Sequence, residues 1–365
     1  MLHTFLPLAA LFTTSALSSS LSSAARAPEA AAEQCNGISG PFLGPSFPDP
    51  CELNKGSLQE TALTSYIAIY YIDDTWYSFG TSNGKDFQGA KSAKFDSGWS
   101  KLKGPTLAIK EATWAGQQEN GVYGLWAPDV FRRSSDNKFV MFVYFAALDK
   151  ETIGTKKVQH CIGAAVSDDI AGVYHPENDF VQCNRTSSGV IDPAWFKDTD
   201  GKQYVVYKTE IPENWLEIRE VRNSGPKEGV EWVGNAQKLL RVNGQGFSDG
   251  NNMEAPYIFK RGDTYFLTYS THSTADATYD VQYATAKKVN GPYTRVKEPL
   301  LKTTNAFGCK LIGPGGASFQ RGSNGNQEVT KIIFHGLTDA MDINKRVVYT
   351  ATVQVNGDRL SIGSA

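Results

Sequence analysis

The chain has 365 residues, 41% of them hydrophobic, and its 36 basic residues nearly balance its 38 acidic residues at a formal net charge of −2. This composition excludes a disordered chain, and the charge balance provides neither a basic surface for nucleic acid nor a polybasic segment for an anionic membrane. The 16 tyrosines, 19 phenylalanines and 34 glycines favour short aromatic strands joined by tight turns.

The N-terminus has the pattern of a secretion signal. Residues 2–17 are apolar, and a Ser/Ala-rich segment follows that ends in Ala25-Arg26-Ala27. The apolar run is shorter than the roughly 20 residues that span a bilayer. We expect residues 1–27 to be a cleaved signal peptide, residues 28–44 to be an N-terminal extension, and the mature protein to be extracellular with no membrane partner.

The five cysteines suit an oxidising compartment. Cys161 and Cys183 flank a strand-like segment and its return, which predicts a disulfide between them. Cys35 with Cys51 is the second predicted pair, and it leaves Cys309 free. Because no CxxC or HxxxH spacing occurs, the sequence does not predict a zinc site.

A unit of two strands joined by a polar turn recurs along the chain. Its copies occupy residues 47–82, 126–145, 190–210, 253–270 and 313–337. Counted from Asp49 to Asp129, Asp192, Glu254 and His335, they recur at steps of 62 to 81 residues. Each step is long enough for a four-stranded antiparallel sheet, which is the size of a propeller blade. The strand count alone also allows a sandwich, but the regular unit favours a radial arrangement. We therefore predict an all-β fold, a five-bladed β-propeller spanning residues 45–365.

Carboxylates beside a proline open four of these units: Asp49, Asp129, Asp192 and Glu254. A single such residue is explained by a turn in which its oxygens accept backbone N–H groups. Four of them at corresponding positions of a ring would converge on one end of the central axis. Neighbouring carboxyls in a shared cleft push their pKa values apart, so that one stays protonated while another is ionised.

The chain resembles glycoside hydrolase family 43 in four motifs: Asp49-Pro50, Trp126-Ala127-Pro128-Asp129, Ile191-Asp192-Pro193 and Glu254-Ala255-Pro256-Tyr257. The resemblance covers about residues 45–360. It implies a five-bladed propeller that hydrolyses arabinose- or xylose-containing polysaccharides with inversion at the anomeric carbon. An inverting mechanism requires two carboxyls about 6.5–9.5 Å apart, with a water between base and sugar.

The same resemblance implies the catalytic roles. Asp49 would be the general base, Glu254 the general acid, and Asp192 a third carboxylate that orients the acid and adjusts its pKa. His335 matches a histidine that faces the central channel and contacts a cation or water; a core histidine on a strand is the alternative. Arg346 matches an arginine that reaches substrate or acid; a surface arginine is the alternative.

Aromatic residues next to the carboxylates are candidate sugar platforms, because the C–H face of a sugar packs on an aromatic ring. These are Trp126, Trp195 and Tyr257. Asp129 is a further candidate substrate contact, and a role in fixing the backbone remains equally open for it.

The resemblance implies no required cofactor, and a structural calcium on the axis is compatible with it. We expect a monomer whose partner is a polysaccharide or oligosaccharide. The sequence departs from the family in the long polar stretch of residues 51–64 after Asp49-Pro50, and in Gly313-Pro314-Gly315-Gly316, where relatives often have His after the Gly-Pro-Gly.

Two other functions are alternatives to glycoside hydrolysis by a family 43 enzyme. A non-catalytic, lectin-like propeller would use the carboxylates only to hold sugar hydroxyls. The location of Asp49 would distinguish this binding function from catalysis, because catalysis requires Asp49 in the pocket. The related fructan-cleaving propellers carry an Arg-Asp-Pro tripeptide, which this chain lacks. Internal and terminal cleavage both stay open, since loops in residues 83–125 and 211–250, the longest expected insertions, would decide between them.

Overall fold

The computed structural model describes residues 35–44, 67–81, 86–116, 125–145, 160–178, 181–183, 189–210, 213–222, 231–321, 329–339 and 345–363. The expected signal peptide, Asp49 and Cys51 lie outside the described residues. In the part of the chain that is described, no helix is long and apolar enough to cross a membrane.

The described chain forms five antiparallel sheets, each of them one blade. Blade 1 contains β2 (Ile67–Ile72), β3 (Thr75–Gly80), β4 (Gln88–Ser92) and β5 (Ser100–Lys101). Blade 2 contains β6 (Leu125–Arg132), β7 (Phe139–Phe145), β8 (Cys161–Ser167), β9 (His175–Pro176) and β10 (Gln182–Cys183). Blade 3 contains β11 (Val190–Lys197), β12 (Gln203–Thr209), β13 (Trp215–Arg222) and β14 (Glu231–Arg241).

Blade 4 contains β15 (Met253–Arg261), β16 (Thr264–Thr271), β17 (Asp280–Ala286) and β18 (Thr294–Arg295). Blade 5 contains β19 (Ile312–Phe319), β20 (Lys331–Leu337), β21 (Arg346–Asn356), β22 (Arg359–Ile362) and the N-terminal strand β1 (Ile38–Phe42). Two short 3-10 helices, Ile109–Glu111 and Gly244–Gly246, lie in connections.

The first strands of the five blades form a closed ring. Strand β2 contacts β6, β6 contacts β11, β11 contacts β15, β15 contacts β19, and β19 returns to β2. The predicted all-β five-bladed propeller is therefore confirmed, and each predicted two-strand unit is the inner pair of one blade.

Tight turns close the inner hairpins where the sequence predicts them. Asn137, Gly201 and Gly262 have φ values of 61°, 87° and 56°, in the left-handed region. Asparagine and glycine tolerate this conformation, which matches the twist of the flanking strands.

A bulge before a proline interrupts the inner strands of blades 2 to 5. Ala127, Asp192, Ala255 and Gly313 each precede a proline and have φ values between 44° and 56°. The ladder with the second strand of the blade shifts register at each of these points. Proline has no N–H for the ladder and keeps the residue before it out of the right-handed helical region.

The expectation that the carboxylates occupy corresponding positions is wrong. Asp192 is the bulge residue itself, Glu254 precedes the bulge residue of its blade, and Asp129 follows the proline. The three carboxylates therefore stand at different positions relative to the bulge of their own blades.

Aromatic rings from adjacent blades pack against each other between the sheets. Phe131 of blade 2 stacks on Trp195 of blade 3 with centroids 4.7 Å apart, and Phe259 of blade 4 lies 5.0 Å from Phe319 of blade 5. All four side chains are buried. Burial of this aromatic surface holds the blades together.

The N-terminal strand closes the ring by joining the last blade. Strand β1 lies in the segment expected to precede the propeller, and it pairs antiparallel with β21. A disulfide joins Cys35 to Cys309, so the predicted pairing of Cys35 with Cys51 and the free Cys309 are wrong. The sequence did not reveal this pairing, because the closure brings together residues 274 positions apart.

The predicted disulfide between Cys161 and Cys183 is confirmed. Cys161 and Cys183 are bonded and are direct partners across strands β8 and β10.

Residues 83–125 and 211–250, which are expected to be long loop insertions, contain outer strands of the blades. Strands β4 and β5 lie in the first range, and β13 and β14 lie in the second. Most of β14 is exposed, so its sequence carries the polar composition of a loop even though it forms a strand.

We predict that removing the disulfide that closes the ring destabilises the protein. Cys35→Ser combined with Cys309→Ser should lower the free energy of unfolding by about 2–5 kcal/mol, because the disulfide constrains the unfolded chain over a very long loop. Thermal and denaturant unfolding measure the change. The matched control is Cys161→Ser with Cys183→Ser, which opens a loop with a separation of only 22 residues and should cost less. An equal or larger loss in the control would contradict the prediction.

Candidate active site

Three donors from two blades hold the carboxyl group of Glu254. Tyr279 donates its hydroxyl to Oε1 at 2.8 Å, Asn252 donates its amide to Oε2 at 2.5 Å, and Lys208 donates its ammonium to Oε2 at 3.2 Å. Glu254 is 0% exposed and lies immediately before the bulge of the innermost strand of blade 4. These contacts fix the orientation of both carboxyl oxygens.

Asp192 lies on the neighbouring inner strand and is also fully buried. Its Oδ2 accepts a hydrogen bond from the backbone N–H of Ala255 at 2.8 Å, and its Oδ1 is buried without a hydrogen-bond partner among the described residues. Burial and the charge of Glu254 raise the pKa of Asp192 to about 7, although the charge of Lys208 opposes the shift. Asp192 can therefore hold a proton close to neutral pH.

Lys208 connects this pair to a third acid, Glu210, which is partly exposed. Its Nζ lies 3.8 Å from Oε1 of Glu210, and Oε2 of Glu210 lies 2.5 Å from Nδ1 of His160. Burial lowers the pKa of Lys208, but the charges of Glu254, Glu210 and Asp192 outweigh it and raise this pKa above its usual value. The ammonium therefore stays charged in the site.

Burial raises the pKa of Glu210. The charges of His160 and Lys208 and the hydrogen bond with His160 lower this pKa by more, so the net shift is downward. Glu210 is consequently ionised near neutral pH. The buried site thus contains both a carboxyl that retains its proton and one that readily loses it.

Tyr279 links Glu254 to His335 and Arg346. Its ring stacks on the His335 imidazole with centroids 5.7 Å apart and planes within 6°, and the Arg346 guanidinium lies 5.4 Å from the centre of the same ring. Arg346 also contacts Nδ1 of His335. A side chain at Gly315 would clash with the Tyr279 ring, because a Cβ there would lie 1.9 Å from it.

These surroundings do not fit a cation on Nδ1 of His335, because the positive charge of Arg346 already faces that nitrogen. Within the described ranges, no three His, Cys, Asp or Glu residues cluster in a way that could hold a metal ion. The structural calcium expected as compatible with the resemblance stays a prediction.

Asp129, Trp195 and Tyr257 belong to a separate buried cluster around Arg321. The Arg321 guanidinium donates to Oδ1 and Oδ2 of Asp129 at 3.0 and 3.1 Å and to the carbonyl of Trp195 at 2.6 Å. It lies 5.3 Å from the ring centres of both Trp195 and Tyr257. Asp129 also accepts the backbone N–H of Trp195 at 2.7 Å, which is the backbone-fixing arrangement that the sequence left open.

The structure thus brings together four of the predicted site residues, Asp192, Glu254, His335 and Arg346, through Lys208 and Tyr279. Trp126 lies beside this group, with its ring 5.8 Å from the imidazole of His160.

Sequence reasoning missed Lys208, Asn252, Tyr279 and Arg321. The available signal was weak. Lys208 is a lone charge in the apolar strand sequence QYVVYKT, and Asn252 stands two residues before Glu254.

Blade 1 has no acidic residue in its inner strand. Strand β2 reads IAIYYI, and it lacks the proline that marks the bulge in the other four blades. The two blades can be aligned at their hairpin turns, where Ile72 pairs with Thr75 in blade 1 and Arg261 pairs with Thr264 in blade 4. In this alignment, Ile67 of blade 1 occupies the position of Pro256 in blade 4. The inner strand β2 therefore supplies no second catalytic carboxyl, and Asp49 remains the predicted base.

Comparisons with known proteins agree with this architecture. A sequence model of the family described as Glycosyl hydrolases family 43 matches residues 65–358. The extracellular endo-alpha-(1->5)-L-arabinanase 2 of Bacillus subtilis (strain 168) is 30% identical over 220 residues, covering 52% of this chain and 43% of that protein. The extracellular exo-alpha-(1->5)-L-arabinofuranosidase ArbA of Cellvibrio japonicus (strain Ueda107) is 27% identical over 235 residues, covering 60% and 63%.

The chain thus spans less than two thirds of the length of both curated relatives. Among solved structures, a thermostable family-43 glycoside hydrolase superimposes with a TM-score of 0.65 at 20% identity, covering 82% of this chain and 92% of the other. At this identity, the likeness establishes the fold.

We predict that Asp129→Asn destabilises the fold. The substitution leaves the buried guanidinium of Arg321 without its counter-charge, which typically costs about 3–5 kcal/mol. Denaturant unfolding measures the loss. Asp168→Asn is the control, since Asp168 is exposed and its ion-pair partner Lys138 is also in contact with solvent. A fully stable Asp129→Asn protein would show that Asp129 is not required to balance Arg321.

Proposed function

The chain belongs to glycosyl hydrolase family 43, and we propose that it is a secreted enzyme that hydrolyses glycosidic bonds in arabinose- or xylose-containing polysaccharides with inversion. The observation that carries the proposal is the buried carboxyl pair Asp192 and Glu254, in which Asp192 holds a proton close to neutral pH. A buried carboxyl that keeps its proton near neutral pH, beside a second carboxyl, is an arrangement suited to general acid catalysis.

In the proposed reaction, Glu254 protonates the leaving glycosidic oxygen. Tyr279 and Asn252 orient its carboxyl, and Asp192 is the third carboxylate beside it. Asp49 polarises a water molecule on the opposite side of the sugar ring, and the transition state resembles an oxocarbenium ion. The water attacks the anomeric carbon as the leaving group departs, so the product has the inverted configuration.

Arabinan is the first substrate to test. Both relatives are named for α-(1→5)-linked arabinose chains, and both are named extracellular. The two disulfides in the described part of the chain suit the same compartment. Arabinoxylan and β-linked xylose chains are the second class of substrate.

A binding protein without turnover is the second candidate function. It is favoured by the inner strand of blade 1, which has no acidic residue, and by the family match, which begins at residue 65, downstream of Asp49. The carboxylates of blades 3 and 4 would then hold sugar hydroxyls only.

We predict that Glu254→Gln and Asp49→Asn each lower kcat/KM by at least about 10²-fold, because each removes one acid or base group. The assay follows release of reducing sugar from debranched arabinan and arabinoxylan and cleavage of aryl arabinofuranosides and xylosides. Proton NMR of the first-formed product reads its anomeric form. Asp74→Asn is the control, since Asp74 lies in an exposed turn and bonds only Tyr71 in the described contacts.

Three results would decide between the candidates. Full activity in Glu254→Gln would remove the acid from the mechanism, and retained configuration in the product would exclude inversion. A wild-type protein that binds arabino-oligosaccharides in calorimetry but releases no sugar would establish the binding function.

A further inference from the structure

Lys208 lies in the site but belongs to none of the sequence motifs, and the roles proposed for Asp192 and Glu254 leave its own role unexplained. It lies on β12, the second strand of blade 3, and its side chain is 4% exposed. Its Nζ donates to Oε2 of Glu254 at 3.2 Å and to Oδ1 of Asn252 at 2.7 Å, while Asn252 donates to the same Oε2 at 2.5 Å. The three side chains form a closed triangle around one oxygen of Glu254.

The triangle restricts the rotation of the Glu254 carboxyl. Its other oxygen, Oε1, is bonded by Tyr279 from the opposite side, and the Tyr279 ring is fixed between His335 and the Gly315 backbone. With both oxygens bonded, the carboxyl plane is determined by side chains from blades 3 and 4 together. Precise orientation of this kind is what a proton donor requires.

Lys208 also determines the charge balance of the site. Asp192 from blade 3 and Glu254 from blade 4 face its ammonium, and Glu210 lies on the other side of it, 3.8 Å away. His160 from blade 2 is bonded to Glu210. A buried ammonium is stable only when carboxylates compensate it, and they in turn depend on it.

The remaining charged groups that approach the site come from blade 5. Arg346 and His335 contact each other and the Tyr279 ring. Among the described residues, Lys208 is the cation in ion-pair contact with Glu254. Loss of its charge therefore leaves Glu254 without the positive charge nearest to it.

We infer that Lys208 is a positioning residue that orients the carboxyl of Glu254 and sets the pH range in which the neighbouring Asp192 keeps its proton. This inference rests on the proposed function, because it assigns to Lys208 a part in the proton transfer from Glu254. The positive charge of Lys208 favours the ionised form of Asp192, so Asp192 loses its proton at a lower pH than it would without this charge.

The test is the pH dependence of kcat/KM in Lys208→Met, which keeps the aliphatic stem and removes the charge. We expect the alkaline limb of the profile to move up by about one pH unit, since an opposite charge within hydrogen-bond distance shifts a carboxyl by about 1–3 units. The maximal kcat should fall by about tenfold, because the triangle around Oε2 is opened. Lys208→Arg keeps the charge, and its alkaline limb should stay close to that of the wild type.

Lys260→Met is the matched control. Lys260 is also a strand lysine in an ion pair, with its Nζ 3.1 Å from Oδ1 of Asp198, but it lies outside the site. It should leave the profile in place. A purely structural role for Lys208 would lower activity at every pH without moving the limb, and that result would overturn the inference.

Glu210→Gln provides a test of opposite sign that does not depend on the folding of the Lys208 variants. The charge of Glu210 opposes that of Lys208 at Asp192, so its removal should move the alkaline limb down. A limb that stays in place or moves up would contradict the inference.

The inference and the proposed function fail in different ways. An active Glu254→Gln protein would remove the proposed acid and with it the basis of both. An inactive Glu254→Gln protein together with an unshifted limb in Lys208→Met would overturn the role of Lys208 alone.

Discussion

The ring of blades depends on hydrogen bonds that cross from one inner hairpin to the next at the bulges. Backbone N–H groups of Trp195, Ala255 and Gly316 donate to Asp129, Asp192 and Ser270 of the preceding blade. The proline in each bulge interrupts pairing within the blade, so nearby amides need a partner elsewhere. The side chain that satisfies each amide therefore links two neighbouring sheets.

This constraint explains why buried carboxylates have such different properties. Asp129 accepts a neighbouring amide and also has the guanidinium of Arg321 directly against it. Asp192 accepts a neighbouring amide, but within the described residues no cation is in ion-pair contact with it, and the charge of Glu254 is close. Burial without a direct counter-charge favours the neutral acid, so the same structural contact leaves Asp192 able to hold a proton.

The site is completed by residues that the bulge motif does not include. Lys208 reaches Glu254 from the second strand of blade 3, and Tyr279 reaches it from the end of the connection between the second and third strands of blade 4. The stack of Tyr279 on His335 requires Gly315, because a Cβ at this position would lie 1.9 Å from the Tyr279 ring.

The sequence by itself determined the five inner hairpins, their turns, the disulfide between Cys161 and Cys183, and the family, because alternating strands and turn residues are local signals. Only the tertiary structure decided that Asp129 pairs with Arg321, that Cys35 meets Cys309, and how the other carboxylates are partnered. A side chain's partner across a blade boundary depends on ring closure and on a one-residue register at each bulge. A local sequence pattern indicates neither the ring closure nor the register at a bulge, because these contacts join residues separated by scores to hundreds of positions.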